Sequence, residues 1–390
     1  MRRDVFLLSL AAFASAASLR ATDPLLPLIA GDYGVSAAAA AGAVTAFTLS
    51  YGLLQIVCGP LGDRFGRYAT IAVACLLASM GSLACAMAQG LDALVLARFV
   101  TGGVVGAFIP LSLAWIGDSF AYEQRQTVLA RFLIGQMAGL AFGTALAGWL
   151  GEHFGWRAIF VALAVFLLVT SLLLLVELKR NPGVRRTGGA RPSLAESVAR
   201  LPRLLKRHDV RALLAAGFSE GLLVFGPLAF VALYLQQTFR VGPGTAGTLL
   251  AAYAVGGLVY AVSAKRAVQR LGERGLAALG GAALTLGYAG LAFAPSTVAA
   301  TLFLCVVGVG FYMFHTTLQA HVTQIAPQER GSSVALFATF LFVGQAIGVW
   351  LAARLLEAAG AAWVFSAASA GLALLAFLFC RYFLTARRVP

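Results

Sequence analysis

The chain has 390 residues, of which 60% are hydrophobic and 11% charged, and its formal net charge at pH 7 is +14. A water-soluble domain cannot bury so large an apolar share, so the composition excludes a soluble globular protein and indicates an integral membrane protein. The basic excess does not indicate nucleic-acid binding, because the arginines and lysines lie in short loops between apolar runs and not on one exposed face.

Twelve apolar runs follow one another along the chain, and each is long enough to cross about 30 Å of hydrocarbon as a helix. The sequence therefore predicts an all-α membrane protein with twelve spans and with both termini on one side. The runs lie near residues 5–29, 37–58, 69–88, 92–117, 127–149, 158–178, 210–237, 244–263, 275–294, 297–320, 332–353 and 361–383.

The basic residues are distributed unequally between the two sides of these spans. Twenty-three of the 29 Lys and Arg residues fall in the termini or in loops on the side of the termini, whereas only Arg157, Arg240 and Arg354 fall on the other side. Because cytoplasmic loops carry the excess of positive charge, we expect both termini in the cytoplasm. This predicts a multi-pass plasma-membrane protein, in a bacterium an inner-membrane protein, with anionic lipids near its cytoplasmic loops.

A charged, glycine-rich loop joins the second and third runs, where residues 59–67 are G-P-L-G-D-R-F-G-R. Its glycines allow close approach of helices, Asp63 can face the positive N-terminal end of another helix, and its arginines can bind carboxylates or lipid phosphates. The alternative is a solvated turn whose arginines only follow the positive-inside rule. The residues concerned are Gly59, Gly62, Asp63, Arg64, Gly66 and Arg67.

This G-x-x-x-D-R-x-G-R pattern between two spans resembles the signature loop of the major facilitator superfamily of transporters. The resemblance implies a fold of two six-helix bundles that rock about a midplane cavity, with the loop acting as a conformational latch. We call the loop the latch below. We also expect the protein to be a monomer.

The second half of the sequence repeats the latch weakly, 206 residues further on. Residues 269–273, Q-R-L-G-E, align with Asp63–Arg67 and keep the arginine and the glycine but lose the aspartate.

The predicted domains are an N-terminal bundle at 1–178, a cytoplasmic linker at 179–209 and a C-terminal bundle at 210–390. Leucines and a valine at helical spacing after Ser193 predict an amphipathic helix on the membrane surface within the linker, and Pro202 makes a disordered basic linker the equal alternative.

Charged residues inside spans are costly in lipid, so they indicate a polar cavity or an ion pair. Asp23 in span 1 and Arg98 in span 4 lie at a similar depth below the outer surface. The segment T-D-P-x-x-P that begins at Thr22 resembles the first-span motif of twelve-span multidrug/proton antiporters, and R-F-x-x-G at Arg98 resembles a fourth-span motif of proton-coupled facilitators. We expect Asp23 and Arg98 to form a pair whose separation loads or releases a proton; the alternative is a static ion pair.

Glu220 is the second candidate for proton coupling, because it lies about 14 Å from the start of span 7 and therefore close to the midplane. No partner for it is evident in the sequence, so it suits a proton carrier or the counter-charge of a cationic substrate. The alternative is a protonated glutamic acid bonded to nearby backbone. We expect His315 and His321 to be packing or surface histidines and not proton relays.

Polar side chains in several spans are candidates for lining a substrate cavity. They are Arg20, Tyr51, Gln55, Gln136, Glu220, Tyr253, His315 and Gln319.

In span 5, the run that begins at Gly139 resembles an antiporter motif, but it has Thr144 where the motif has proline and Ala147 where it has glycine. This departure weakens the prediction of antiport.

These observations predict a secondary transporter, with proton-coupled export of a small amphipathic or cationic compound as the favoured function. A proton symporter or a lipid exporter on the same fold is the alternative, and a non-transporting receptor or scaffold is disfavoured because it needs no buried charges. No G-x-x-x-x-G-K-[ST] loop occurs, so ATP is not expected to drive transport. We expect no enzymatic activity, no cofactor, no metal and no nucleic-acid partner.

Overall fold

The structure is a computed structural model that describes residues 3–185, 202, 204–325 and 330–383. Regular secondary structure in these residues is entirely helical. Most of the predicted linker, including its amphipathic helix, lies outside the described residues. In chain order the α-helices are Arg3–Arg20, Leu26–Tyr33, Ala37–Ala40, Gly42–Phe65, Arg67–Met87, Leu91–Val105, Phe108–Ser119, Tyr122–Phe154, Arg157–Arg180, His208–Glu220, Gly226–Leu228, Val231–Phe239, Pro243–Leu250, Ala252–Ala292, Thr297–Ile325, Arg330–Ala359 and Ala361–Phe383.

Within the described residues, eleven helical stretches are long and apolar enough to cross a membrane. The eighth, Pro243–Ala292, has 50 residues, about twice the length that crosses a bilayer. Its backbone is broken at Gly272, where φ is 62° and ψ is −179°, so it forms two spans. The predicted all-α fold is confirmed. Numbered in chain order, spans 1 to 12 are Arg3–Tyr33, Ala37–Phe65, Arg67–Met87, Leu91–Ser119, Thr127–Phe154, Arg157–Arg180, His208–Phe239, the two parts of Pro243–Ala292, Thr297–Ile325, Ser332–Ala359 and Ala361–Tyr382.

The spans are grouped in two halves that meet along two seams. In the first half, span 1 packs against spans 5 and 6, span 2 against span 4, and span 3 against span 6. In the second half, span 7 packs against span 11, and spans 8 and 9 pack against spans 10 and 12. The two halves contact each other mainly through span 2 with span 11 and through span 5 with span 8.

Small residues allow the helices at the seam of spans 5 and 8 to approach closely. A Cβ atom on Gly148 would collide with the carbonyl oxygen of Pro243, and one on Gly247 would collide with that of Thr144. Helices in lipid associate largely through such close van der Waals packing, since water is not expelled when they meet. The glycines of this seam are therefore part of the interface between the halves.

Polar contacts hold the halves together on the side of the protein that is opposite the termini. Ser36 Oγ donates to Glu357 Oε1 at 2.6 Å, and the backbone N–H of Gly244 donates to Glu152 Oε2 at 2.8 Å. Closer to the middle of the membrane, Thr339 Oγ1 donates to the carbonyl of Gly52 at 3.0 Å. The two halves therefore contact each other from the surface opposite the termini down to the middle of the spans.

The latch is built around Gly66 and Arg67, at the side of the termini. Gly66 has φ 86° and separates span 2 from span 3, a conformation that glycine adopts without steric cost. Arg67 donates to Asp63 Oδ1 at 3.0 Å and to Asp118 Oδ2, at the end of span 4, at 2.5 Å. A Cβ on Gly62 would collide with Leu111 of span 4. These contacts tie the latch to its own half of the protein.

Two other members of the latch face outward. Gly59 and Arg64 are exposed, and the guanidinium of Arg64 lies 5.2 Å from the ring centroid of Phe65. They are therefore less constrained by packing than Gly62 and Arg67.

The counterpart loop in the second half has a similar arrangement, with the acidic and basic residues exchanged. Gly272 has φ 62°, and the next residue, Glu273, lies with its Oε2 atom 3.5 Å from Nε2 of His321 near the end of span 10. In the first half the residue after the positive-φ glycine is basic and its partner acidic; here the residue is acidic and its partner basic. The weak repeat in sequence therefore corresponds to a repeat in structure.

We expect Gly66→Ala to lower the apparent midpoint of thermal unfolding, because a side chain at positive φ costs about 1–2 kcal/mol. Gly59→Ala is the matched control, since Gly59 lies within a helix, has no positive φ and has open space around it. Both variants are compared with wild type by a thermal-shift assay in detergent. Equal shifts in the two variants would show that the backbone at Gly66 is not the constraint.

Candidate functional site

Span 1 is interrupted where its charged residues lie. The helix Arg3–Arg20 ends, a 3₁₀ turn covers Asp23–Leu25, and a second helix begins at Leu26. Pro24 accounts for the break, because proline lacks an N–H and cannot continue a helix interior. Arg20 and Asp23 are 2% and 0% exposed, and Arg20 Nη1 donates to Asp23 Oδ2 at 3.0 Å.

The direct partner of Asp23 is Arg20 and not Arg98. Coupling of a proton to Asp23 and Arg98 stays a prediction. Residues three positions apart share one side of a helical turn, so Arg20 is already next to Asp23 before any other span is placed. This signal was present in the sequence and points to the correct partner.

Arg98 is held instead by backbone carbonyls and by an aromatic ring. Its Nη1 and Nη2 atoms both donate to the carbonyl of Ser18 at 3.1 Å, and its Nε donates to that of Ala43 at 3.4 Å. Ser18 lies in the last turn of its helix, where carbonyls lack partners within the helix. The guanidinium also lies 3.8 Å from the centroid of Phe47. Arg98 thus ties spans 1, 2 and 4 together.

Span 7 is also interrupted at its charged residue. The regular helix ends at Glu220, and a π-helical turn follows at Gly221–Phe225. Gly221 is required there, because a Cβ atom would collide with the carbonyl oxygen of Leu341 in span 11. Single π-helical turns inside α-helices are frequent at functional sites. The turn ends at Phe225, whose ring contacts Phe311 of span 10 and Arg20 of the other half.

Glu220 is paired with His315 of span 10, although the sequence showed no partner for it. Glu220 is 0% exposed, and its Oε2 atom lies 2.8 Å from Nδ1 of His315. Glu220 Oε1 has no hydrogen-bond partner among the described residues. Counted at 1.5 Å per residue from the ends of spans 7 and 10 on the side of the termini, the pair lies about 15–18 Å deep. It is therefore near the midplane. His315 is thus more than the packing or surface histidine that the sequence suggested.

Three aromatic side chains lie between the two charged pairs. We call Phe225, Tyr253 and Phe311 the aromatic trio; Phe225 is 4.9 Å from Phe311 and 6.3 Å from Tyr253 between ring centroids. The guanidinium of Arg20 lies 4.9 Å from the centroid of Phe225, and the ring of His315 stacks on Phe311 at 4.8 Å. One aromatic surface therefore extends from the Arg20–Asp23 pair to the Glu220–His315 pair.

A small cavity lies where spans 1, 5, 7 and 8 meet. Its volume is about 10 Å³, close to the smallest that holds one water molecule. Two of the predicted cavity residues, Arg20 and Tyr253, line it. The full lining is Arg20, Leu140, Thr144, Leu228, Leu250, Tyr253 and Ala254.

The remaining predicted cavity residues lie elsewhere. Tyr51 is buried at the seam of spans 2 and 11, where its hydroxyl is 3.1 Å from Ser15 Oγ and its ring 4.5 Å from that of Phe342. Gln55, one helical turn further along, is buried, whereas Gln136 is half-buried and Gln319 exposed. None of these four residues lines the cavity, and neither do Glu220 and His315.

Sequence reasoning missed Phe225, Phe311 and Gln345. The two phenylalanines carried no signal, because the chain has 27 of them. Gln345 carried one, since it is an isolated amide in the apolar run of span 11. It is 0% exposed, and neither atom of its amide has a hydrogen-bond partner among the described residues.

We expect Arg98→Lys to lower the midpoint of thermal unfolding, because an ammonium cannot replace the planar fork that reaches Ser18 and Ala43 together. The cost should be about 1–3 kcal/mol, that of leaving buried polar groups unpaired. Arg131→Lys is the matched control, since Arg131 is exposed on span 5. If Arg98→Lys were as stable as the control variant, the proposed structural role of Arg98 would be wrong.

Comparisons with known proteins agree with this architecture. The uncharacterized transporter YgaY of Escherichia coli O157:H7 is 28% identical over 370 residues, which cover 92% of this chain and 90% of that protein. The multidrug export protein EmrB of Haemophilus influenzae is 31% identical over 153 residues, which cover only 39% of this chain and 30% of that protein.

Solved structures show the same fold. The crystal structure of the nucleoside transporter NupG matches with a TM-score of 0.80 at 15% identity, over 97% of this chain and 100% of that one. The family model described as Major Facilitator Superfamily matches residues 8–340 and 213–390. The chain is a membrane transporter and not an enzyme, and it belongs to the major facilitator superfamily.

Proposed function

We propose that this transporter couples proton movement to the export of a small amphipathic compound, with Glu220 and His315 as the proton site. The observation that carries the proposal is the contact of 2.8 Å between the buried Glu220 and the partly buried His315, near the midplane and beside the aromatic trio. Both partners are titratable, and they come from spans 7 and 10 of the same half.

The chemistry of the pair suits reversible proton binding. Without a bound proton a glutamate beside a neutral imidazole carries one negative charge, and with one proton the pair is neutral overall. Burying a net charge away from water costs several kcal/mol, so protonation favours a state in which the site is closed. Paired carboxyl and imidazole groups inside spans are typical of proton relays in membrane transporters.

The charge distribution of the loops supports an orientation with both termini in the cytoplasm of a bacterial cell. In that orientation the closed contacts near Ser36 and Gly244 lie on the outer side. A substrate would then reach the site from the cytoplasm, and export would require these outer contacts to open while the side of the termini closes. Alternating access of this kind needs the two halves to move relative to each other.

We favour export over uptake because EmrB, to which part of this chain is similar, is named as a multidrug export protein. A cationic substrate is less favoured than the sequence suggested. Glu220, the residue expected to attract a cation, is already paired with His315. Proton-coupled uptake remains the alternative, and the direction of gradient-driven flux distinguishes the two.

We expect Glu220→Gln and His315→Gln to abolish accumulation driven by a pH gradient while leaving downhill exchange of substrate partly intact, because exchange needs no net proton movement. Proteoliposomes with an imposed pH gradient are assayed against a panel of cationic, neutral and anionic aromatic compounds, and the sign of the flux gives the direction of transport. His153→Gln is the control variant, since His153 is exposed and lies on Trp149. Gradient-driven accumulation at the wild-type level in Glu220→Gln would overturn the proposed proton site.

A further inference from the structure

We infer that Glu152 and Glu357 form a matched pair of clamps that hold the two halves together on the side opposite the termini. Each glutamate lies at the end of a span in one half and binds the beginning of a span in the other half. The two clamps therefore oppose opening of the transporter on that side. This role goes beyond the proposed function, since it depends neither on the proton site at Glu220 nor on the direction of transport.

The first clamp joins the end of span 5 to the beginning of span 8. The backbone N–H of Gly244 donates to Glu152 Oε2 at 2.8 Å. Gly244 lies in the first turn of the helix Pro243–Leu250, where N–H groups lack an acceptor in their own helix and the helix dipole favours a negative charge. A Cβ atom on Gly242 would lie 2.5 Å from Glu152 Oε1, and one on Gly244 would lie 2.7 Å from Oε2. The two glycines thus leave the space that the carboxylate occupies.

The second clamp joins the end of span 11 to the beginning of span 2. Ser36 Oγ donates to Glu357 Oε1 at 2.6 Å and accepts from the backbone N–H of Ala39 at 3.1 Å. Hydrogen bonds in such a chain polarise and strengthen one another. Glu357 therefore stabilises the first turn of span 2 through the Ser36 hydroxyl, whereas Glu152 binds the first turn of span 8 directly.

The two clamps occupy equivalent places in the two halves, because spans 5 and 11 are each the fifth of their half and spans 2 and 8 the second. Each glutamate is the third residue from the end of its helix, and a glycine of positive φ follows three residues later, at 83° in Gly155 and 86° in Gly360. The loops that the glutamates reach also match. Each has a positive φ two residues before the N-cap of its span, 64° at Gly34 and 55° at Arg240. The clamps thus follow the repeat on which the fold is built.

The carboxylates act between the halves and not within them. Both glutamates are exposed, and the hydrogen bonds that described residues give to them come from the opposite half. Neither forms an ion pair within the described part of the chain. Exposed contacts of this kind are individually weak, which suits a contact that must break in every transport cycle.

Hydrogen–deuterium exchange of the full chain in detergent, followed by mass spectrometry, measures the opening of each seam separately. Peptides covering 35–45 report on the seam of spans 2 and 11, and peptides covering 241–250 report on the seam of spans 5 and 8. Exchange through an open form scales with the equilibrium constant for opening. We expect Glu152→Ala and Glu357→Ala each to speed exchange about threefold in both peptides, because halves that separate at one seam also separate at the other. The double variant should give about tenfold, since contacts without a shared residue add in free energy.

Two further variants separate the clamps from local effects. Asp32→Ala is the matched control, because Asp32 is also an exposed carboxylate on this side, but Trp156 and Arg157, which donate to it, belong to its own half. It should leave exchange in 241–250 at the wild-type rate. Gly242→Ala places a methyl group where the Glu152 carboxylate lies. It should speed exchange as Glu152→Ala does and add nothing in combination with it.

Faster exchange confined to 241–250 in Glu152→Ala would mean that Glu152 only caps a helix, and it would overturn the inference. Wild-type exchange in the double variant would do the same. Exchange is measured without substrate and without a pH gradient, so loss of the proton site at Glu220 would leave the clamps standing, and the reverse also holds.

Discussion

The cost of placing charge in the interior of a membrane protein governs the centre of this structure. Arg20 is 3.0 Å from Asp23, Glu220 is 2.8 Å from His315, and Arg98 is bound by two backbone carbonyls. Each arrangement compensates a charge or a polar group that would otherwise cost several kcal/mol away from water. The positions of spans 1, 2 and 4, and of spans 7 and 10, relative to one another follow from these contacts.

The helices are irregular at the same places where they carry these groups. Span 1 breaks at Asp23–Leu25, and span 7 widens into a π-helical turn at Gly221–Phe225. Backbone without regular helix geometry is tolerated at membrane depth only where protein or a cavity surrounds it. Both irregular segments adjoin the junction of the two halves, and the cavity beside Arg20 and the aromatic trio lies between them. The candidate site is thus formed by departures from the regular fold.

At the side of the termini the two halves have the same arrangement, in which the acidic and basic residues are exchanged. Arg67 follows Gly66 and binds Asp118, while Glu273 follows Gly272 and lies beside His321. Sequence identity between the two loops is low, since the aspartate of the first is absent from the second. The geometry persists because a positive-φ glycine can reverse the chain in either loop, and because an acidic and a basic side chain can exchange places in such a contact.

The sequence by itself determined the features that lie along one helix. Hydropathy gave the twelve spans, and the three-residue spacing of Arg20 and Asp23 already contained their pairing, although the more distant Arg98 was predicted in its place. Which helix faces meet was decided only by the tertiary structure. Glu220 and His315 are 95 residues apart, and neither is marked as the partner of the other by any pattern. Their contact depends on how spans 7, 10 and 11 are rotated about their axes, and that rotation is set by close approaches such as Gly221 against Leu341. Apolar composition specifies that a helix crosses the membrane, whereas packing against its neighbours specifies which side of it faces inward.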